Sequence, residues 1–344
     1  MTCEILIKRQ RILSILCVLL VAGVAGNGVH GQVNESPLFD ADTRVEKIFD
    51  QGFFLEGPAM APDGSVYFSD LTFTSESGML AGRIWRYDPV NGQTTIFRSP
   101  SGMANGIIFD PAGQMIIAEG ADYGGRRIIR TDLKSGNSTI VAGLYNGKPF
   151  NSPNDLTMDR AGRIYFSDPR YVGHEAVEQP VQGVYRIDPD GKVTLIIANA
   201  GKPNGIALSP DQKRLYVASL DDGGLGESTP WLPSQPGLQA LLAYPLDENG
   251  NPGAREVLID FGDDSGPDGM TIDSEGNLYL ARPAKTPGIY IYSASGEFRG
   301  MIALPESPSN VTFGTGQENH VLYITAGQGL YRFVTRANGT VPNR

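Results

Sequence analysis

Several groups on which hydrolases often depend are scarce in this sequence. Its 344 residues include two cysteines and three histidines. Both cysteines, Cys3 and Cys17, lie near the start, so the chain after residue 31 can form no disulfide, no cysteine nucleophile and no cysteine-ligated zinc site. A serine nucleophile normally works beside a base, and no G-x-S-x-G motif is present. The sequence therefore argues against covalent catalysis by serine or cysteine.

Positive charge is also in short supply. The chain has 28 lysine and arginine residues against 38 aspartate and glutamate residues, which gives a net charge of −10. An acidic protein offers little surface for neutralising phosphate groups. We therefore expect neither nucleic acid nor an anionic membrane as a partner.

The longest apolar run, residues 12–25, is too short for a comfortable membrane span, which needs about 20 residues. Basic residues precede this run and small residues follow it. These three parts are typical of a secretory signal peptide. We predict a signal peptide at residues 1–31, cleaved near the Gly31–Gln32 bond, and a secreted or periplasmic protein without stable membrane association. An uncleaved membrane anchor is the alternative.

Turn-forming residues are abundant instead, with 43 glycines and 24 prolines. They belong to a pattern that occurs six times: a polar opening residue (the opener), a short strand, a turn and a second strand. In the central copy, residues 151–171, alternation at period two around a glycine-centred turn predicts a β-hairpin. The openers are Glu56, Asn105, Asn154, Asn204, Asp268 and Asn310, which lie 49, 49, 50, 64 and 42 residues apart.

Repeats of 40 to 50 residues with several short strands each are the signature of a β-propeller. We predict an all-β fold, a six-bladed β-propeller of four-stranded antiparallel blades, over residues 44–336. A polar linker is predicted at 32–43 and a C-terminal tail at 337–344. Third and fourth strands are predicted between the hairpins, among them residues 82–87, 126–131, 183–187, 193–197, 241–244 and 288–292.

Two further features concern the ring as a whole. The strand predicted within residues 44–55 could pair with the last strand, near 329–335, which would close the ring and remove a sheet edge. Residues 221–239 are rich in glycine and proline and account for the 64-residue spacing. They are predicted to form a loop over one face, and whether this loop covers the channel mouth stays open.

The openers are predicted to precede the innermost strands, which line the central channel, so their side chains should meet at one mouth. Asparagine and aspartate are common in turns for local reasons. Glutamate has no such preference, and six polar openers in register favour a shared site. Glu56 and Asp268 would supply charge, and Asn154 and Asn204 neutral oxygens. Such a set suits a hard divalent cation, Ca²⁺ first, with positions left open for water and a substrate oxygen.

The strings around four openers resemble those of the gluconolactonase and senescence-marker-protein (regucalcin) family of six-bladed propellers. They are EGP at Glu56, SPND around Asn154, KPNGIALS around Asn204 and GPDGMTID around Asp268, in the family's order and spacing. The resemblance covers residues 56 to 313. The animal members carry an arginine two residues before the third opener, where this chain has Ser152. This departure puts their sugar-lactone preference in doubt and fits better with the bacterial lactonase branch.

The resemblance implies one divalent metal held by Glu56, Asn204 and Asp268, with Asn154 on the metal or on its bound water and substrate. It also implies lactone hydrolysis, with the metal polarising the ester carbonyl and Asp268 as the general base. Zn²⁺, Mg²⁺ and Mn²⁺ are alternatives to Ca²⁺.

We therefore predict a metal-dependent hydrolase of sugar-type lactones, with a small-molecule lactone as its partner. Asn105, Asn154 and Tyr171 could orient hydroxyl groups of the substrate, although a structural role is the alternative for Asn105 and Tyr171. Two other functions stay open: a phosphotriesterase-type hydrolase on the same metal, and a non-enzymatic propeller that binds a ligand or protein. Convergence of Glu56 and Asp268 would argue against the last, since function is argued from the site and not from the fold.

Overall fold

The computed structural model describes residues 38–78, 81–226 and 236–340. The predicted signal peptide, the middle of the 221–239 loop and residues 341–344 lie outside these ranges. The regular secondary structure in these ranges is nearly all strand, with one short helix, α1 (Thr74–Ser77), and one 3-10 turn (Gly316–Glu318).

In these ranges no helix combines the length and the apolar character that crossing a membrane would require.

The first strand, β1 (Glu46–Phe49), is followed by five sets of four consecutive strands, each forming one antiparallel sheet in chain order. The first two sets are β2 (Leu55–Met60), β3 (Val66–Asp70), β4 (Arg83–Asp88) and β5 (Gln93–Arg98), then β6 (Ala104–Phe109), β7 (Met115–Glu119), β8 (Arg127–Thr131) and β9 (Ser138–Ala142). A two-stranded hairpin, β10 (Leu144–Tyr145) and β11 (Lys148–Pro149), follows them.

The next three sets complete blades 3 to 5. They are β12 (Leu156–Met158), β13 (Ile164–Asp168), β14 (Gly183–Ile187) and β15 (Val193–Ile197); β16 (Pro203–Leu208), β17 (Arg214–Leu220), β18 (Gln239–Pro245) and β19 (Glu256–Asp260); and β20 (Met270–Ile272), β21 (Leu278–Arg282), β22 (Gly288–Tyr292) and β23 (Phe298–Ala303). Three of the predicted strands, 183–187, 193–197 and 288–292, coincide with β14, β15 and β22.

The sixth sheet joins the two ends of the described chain. It contains β24 (Pro308–Phe313), β25 (Val321–Ala326) and β26 (Gly329–Val334), and β1 pairs antiparallel with β26, so that Glu46 lies opposite Arg332. The inner strands contact one another in ring order, and β24 returns to β2. The six-bladed propeller and its closure by the first and last strands are therefore confirmed.

The apolar core is divided among the seams between neighbouring blades. Six clusters of buried side chains occur in the described ranges, and each one joins strands of two adjacent blades. Leu38, from the segment predicted as a linker, is buried in the cluster between blades 5 and 6, and Phe39 lies edge-on to Phe333 at 5.4 Å. Stability thus comes from contacts between blades, which leaves the inner strands free to carry polar side chains.

Phe49, on the closing strand, packs across the seam between blades 6 and 1, with ring-centroid distances of 5.5 Å to Phe68 and 4.9 Å to Trp85. We predict that Phe49→Ala lowers the free energy of unfolding by about 2 kcal/mol, because it removes these contacts. Urea denaturation followed by tryptophan fluorescence would measure the loss. Phe298→Ala is the matched control, since Phe298 is 54% exposed and its ring contacts lie within its own blade. If the two variants lose equal free energy of unfolding, the contacts of Phe49 across the closing seam contribute no more than contacts of an exposed ring.

Candidate active site

Hydrogen bonds between blades bring the openers together at one end of the ring. The residue after an opener is often a glycine whose N–H reaches the next blade: Gly106 donates to the Asn154 carbonyl at 2.8 Å, and Gly205 to the Asp268 carbonyl at 2.9 Å. A Cβ on Gly205 would lie 2.4 Å from that carbonyl oxygen, so this approach requires glycine. The inner strands therefore meet backbone to backbone at the level of the openers.

The position of the openers in the strands differs from the prediction. Only Asn154 and Asp268 precede an inner strand, whereas Glu56, Asn105, Asn204 and Asn310 lie inside one. The register of β2, β6 and β16 shifts at or just after the opener. Such a bulge redirects a side chain relative to a regular ladder, which explains how residues within the strands still face the channel.

Five of the six openers line one cavity of about 190 Å³, and Tyr171 lines it as well. The five are Glu56, Asn105, Asn154, Asn204 and Asp268. Asn310 departs from the prediction, because it lines a separate channel cavity of about 330 Å³ and its Nδ2 lies 3.5 Å from Glu56 Oε2. In β24 the register shifts before the opener, between Pro308 and Asn310, so this side chain takes a different direction.

The cavity has a strongly acidic character. Glu56 is 3% exposed, and burial raises its pKa to about 8 although the Gly57 N–H donates to its Oε2 at 3.0 Å. Burial also raises the pKa of Asp268 well above its usual value, and the charges of Glu56 and Asp155 raise it further. In the described ranges neither Glu56 nor Asp268 forms an ion pair with lysine, arginine or histidine. A buried and a partly buried carboxyl group in one cavity, without a cation, are unfavourable, so a bound cation would relieve the site electrostatically.

Asp155 is a third acidic group that sequence reasoning missed. It is 8% exposed, its Oδ1 accepts the Leu156 N–H at 2.9 Å, and its Oδ2 accepts the Ile206 N–H at 3.3 Å. Burial raises its pKa to about 7. Its place beside Asn154 in the third opener resembled ordinary turn chemistry, although the Asn-Asp pair was a visible signal. Asp155 adds negative charge beside the cavity without lining it.

Amide side chains add neutral oxygen atoms to the carboxylates of the cavity. Asn105 is 7% exposed, and its buried Oδ1 has no hydrogen-bond partner among the residues that the structure describes. Asn204 is 4% exposed and lines the cavity together with Asp268. No group of three or more His, Cys, Asp or Glu side chains with the arrangement of a metal site occurs in the described ranges. A cation here would therefore depend on amide oxygens as well as on Glu56 and Asp268, the type of mixed set that Ca²⁺ accepts.

Tyr171 lies beside these groups, but its hydroxyl group is already engaged. Its O–H donates to the Leu220 carbonyl at 2.9 Å, and Lys202 Nζ lies 4.1 Å from the ring centroid. The hydroxyl hydrogen of Tyr171 is thus not directed at the cavity.

Ser152 stands at the position where the animal members of the family carry an arginine. Its Oγ accepts the Ala121 N–H at 2.9 Å.

Apart from Ser152, the rest of the cavity wall is apolar and comes mainly from residues at strand ends and in loops. The apolar part consists of Phe54, Leu71, Phe73, Met103, Val172 and Leu220, with Gly120 and Ala121. Sequence reasoning missed these side chains because loop residues carry no periodic pattern. An apolar wall around a few convergent polar groups is the usual composition of a small-molecule site.

Comparison with known proteins fits this geometry. The family model described as SMP-30/Gluconolactonase/LRE-like region matches residues 54–328, which is most of the chain. The chain belongs to the SMP-30/gluconolactonase/LRE-like family. The resemblance inferred from the opener strings is therefore confirmed.

Three relatives illustrate the match to the SMP-30/gluconolactonase/LRE-like family. A gluconolactonase of Zymomonas mobilis is 34% identical over 330 residues, which cover 88% of this chain and 84% of the relative. A pentonolactonase of Haloferax volcanii is 27% identical over 281 residues, with coverages of 80% and 81%. The solved structure of a gluconolactonase from Xanthomonas campestris has a TM-score of 0.71 at 27% identity, and covers 86% of this chain and 90% of that one.

The acidic cavity leads to a prediction about stability without metal. In chelator at neutral pH, Glu56→Gln should raise the free energy of unfolding by at least about 1 kcal/mol. Burial raises the pKa of Glu56 to about 8, so folding must either protonate this carboxyl group or bury its charge beside Asp155 and Asp268, and glutamine removes that cost. Added Ca²⁺ should stabilise the wild type more than the variant. Thermal unfolding in EDTA and in CaCl₂ would measure both effects.

Glu119→Gln is the control for this experiment. Glu119 is also 3% exposed and burial raises its pKa as well, but the ion pair with Arg127 at 2.6 Å acts against that rise. Because Glu119→Gln loses this ion pair, it should be less favourable to the stability of the metal-free protein than Glu56→Gln. If the two variants change the free energy of unfolding by the same amount, Glu56 is not an uncompensated acidic group.

Proposed function

We propose that this protein is a divalent-metal-dependent hydrolase that opens sugar-type lactones. The observation that carries the proposal is the convergence of Glu56 and Asp268 in one cavity without a cationic partner in the described ranges. Membership of the family and the relatives named gluconolactonase and pentonolactonase support lactone hydrolysis. The acidic cavity also favours an enzyme over a non-enzymatic binding propeller.

Glu56, Asn154, Asn204 and Asp268 would hold the cation. Ca²⁺ is the first candidate, because all four side chains offer oxygen and no cysteine or histidine is among the described residues that line the cavity. Mg²⁺, Mn²⁺ and Zn²⁺ are the alternatives. When bound, the cation would supply Lewis acidity to an ester carbonyl.

Asp268 is the group proposed to move the proton. It retains some exposure to the cavity, unlike Glu56, so a water molecule can reach its carboxylate. The carboxylate takes a proton from this water as the oxygen attacks the acyl carbon. The bond from the acyl carbon to the ring oxygen then breaks, and the proton passes to that oxygen, which gives the open hydroxy acid.

Asn105 supports the preference for hydroxylated lactones. Its buried Oδ1 has no hydrogen-bond partner within residues 38–78, 81–226 and 236–340, and a buried acceptor of this kind is normally satisfied. A hydroxyl group of the substrate could donate to it, while Phe54 and Phe73 contact carbon-bound hydrogens of the ring. A sugar-type lactone presents both kinds of surface.

A phosphotriesterase-type reaction is the second candidate. No lysine, arginine or histidine lies among the described residues that line the cavity, so an anionic phosphate ester finds no counter-charge there. A neutral phosphotriester has no such requirement, and the apolar wall could hold its ester groups.

Removal of metal tests the first part of the proposal. EDTA should abolish lactone hydrolysis and CaCl₂ should restore it. Asp268→Asn should lower kcat by at least about 100-fold with the fold retained, because it removes the proposed base. Asp264→Asn is the control, since Asp264 lies outside the cavity and pairs with Arg282. Unchanged turnover in folded Asp268→Asn protein would show that Asp268 is not the general base.

A substrate panel tests the preference. We expect kcat/KM to be highest for gluconolactone, lower for δ-valerolactone and lowest for a neutral phosphotriester. Asn105→Ala should lower kcat/KM for gluconolactone by about 10-fold, the worth of one hydrogen bond, and leave δ-valerolactone within about twofold. A higher kcat/KM for the phosphotriester than for the lactones would favour the second candidate. If Asn105→Ala lowers kcat/KM equally for both lactones, Asn105 does not bind a hydroxyl group of the substrate.

A further inference from the structure

Two aromatic side chains stack in the open beside the candidate active site. Tyr123 is 53% exposed, and its ring centroid lies 5.5 Å from that of the exposed His174, with 27° between the ring planes. Each residue follows a cavity-lining residue by two positions, Tyr123 after Ala121 and His174 after Val172. The Tyr123–His174 pair therefore lies at the edge of the cavity, in the loops formed by residues 120–126 and 169–182.

The backbone that presents Tyr123 to solvent is unfavourable. Asp122 and Tyr123 have φ angles of 67° and 64°, in the left-handed region that residues with a Cβ, and bulky ones above all, seldom adopt. Such conformations cost free energy, persist only where surrounding contacts impose them, and concentrate at sites that hold ligands. Burial of the ring does not offset this cost, because Tyr123 is exposed. The position of the ring is therefore better explained by binding than by folding.

Contacts from two other blades impose this backbone. The buried carboxylate of Asp122 accepts the N–H of Thr74 at 2.6 Å and its hydroxyl group at 2.5 Å, and lies 3.2 Å from His174 Nδ1. The carboxylate of Glu175 accepts the N–H of Asp122 at 3.1 Å and that of Tyr123 at 2.6 Å. The loops that follow β3, β7 and β13 meet at these hydrogen bonds. The backbone that carries the Tyr123–His174 pair is thus fixed from both sides.

The size of the cavity gives such a pair a use. The cavity of about 190 Å³ is smaller than the roughly 300–1,000 Å³ of sites that enclose drug-sized ligands, so it has room for one sugar-type ring. A substrate with a second ring would extend past the wall that Ala121 and Val172 form. The Tyr123–His174 pair lies where that ring would emerge. Tyrosine offers a large, rigid surface with an apolar face and a polar tip, which suits the mixed C–H and hydroxyl surface of a sugar.

The charges around the Tyr123–His174 pair favour a neutral second ring. The basic residues of the two loops each lie 3.2 Å from a carboxylate oxygen, Arg126 from Glu178, Arg170 from Glu175 and His174 from Asp122. An acidic ring would therefore meet cations that are already paired, and carboxylates that repel it. A neutral ring has no such disadvantage.

We propose that Tyr123, stacked on His174, forms a second subsite that binds a neutral sugar ring linked glycosidically to the lactone. The substrate class then includes aldonolactones that carry one further sugar. The second ring is bound and not cleaved, and the lactone opens in the cavity as described above. This inference rests on the proposed lactone hydrolysis and extends it to a larger substrate of the same site.

The test compares lactobiono-δ-lactone, which is gluconolactone with a neutral galactose attached, with gluconolactone itself. For the wild-type protein in CaCl₂, kcat/KM should be at least as high for the two-ring lactone. Tyr123→Ala should lower kcat/KM for lactobiono-δ-lactone by about 5- to 10-fold, the worth of one aromatic stacking contact. The loss should appear mainly in KM, because the second ring is bound equally before and during the reaction. Gluconolactone should change by less than about twofold.

Two variants serve as controls. Tyr123→Phe keeps the ring and should stay within about twofold of the wild type on both lactones. Phe298→Ala removes an aromatic side chain that is 54% exposed and lies outside the cavity, so it should affect neither lactone. Circular dichroism would verify folding, and turnover of gluconolactone would show that the cavity of each variant is intact.

Other outcomes would overturn the proposal. If Tyr123→Ala lowers kcat/KM equally for both lactones, the ring supports the cavity and does not bind a second sugar. If the wild type opens gluconolactone but has a lower kcat/KM for lactobiono-δ-lactone, or if Tyr123→Ala changes neither value, the inference fails while the proposed function stands. If the wild type opens neither lactone, both fail.

Discussion

The close approach of neighbouring inner strands is the constraint on which the rest of the structure depends. Gly57 and Gly205 each bring their backbone so near the next opener that a Cβ would overlap its carbonyl oxygen, at 2.1 Å and 2.4 Å respectively. Ser69 secures the first of these junctions by donating to the Asn105 carbonyl, and Ser167 secures the junction between blades 3 and 4 by donating to the Asn204 carbonyl. The polar openers come together because the inner strands are joined at these junctions. The apolar seams between neighbouring blades supply the stabilisation.

This constraint also explains how much could be predicted from the sequence. The hairpins repeat with period-two alternation and glycine-centred turns, so the blades were visible as a pattern. Glu56 and Asp268 could be placed together because equivalent positions of a ring meet at its axis. The departure of Asn310 had a signal as well, since Val311 follows it where every other opener has glycine or aspartate next.

The remaining features depend on contacts that no local pattern encodes. Phe54 and Leu220 belong to different blades and meet only because the ring closes. The link between Lys202 and Tyr171 joins residues from two blades through a ring face and a backbone carbonyl. The location of each bulge decides where an opener points, and register shifts are set by packing rather than by residue type.

The pairing of β1 with β26 has a consequence for how the molecule forms. Glu46 and Arg332 are 286 positions apart in sequence, yet they face each other in one sheet. The chain must lose the conformational entropy of closing this long loop before the contacts between β1 and β26 can stabilise it. Chains rich in such distant pairs therefore fold slowly. The last blade is complete only when both ends are available, so an unfinished chain presents an open arc with a bare strand edge. Assembly of the ring is therefore a late, all-or-none event in the life of each molecule.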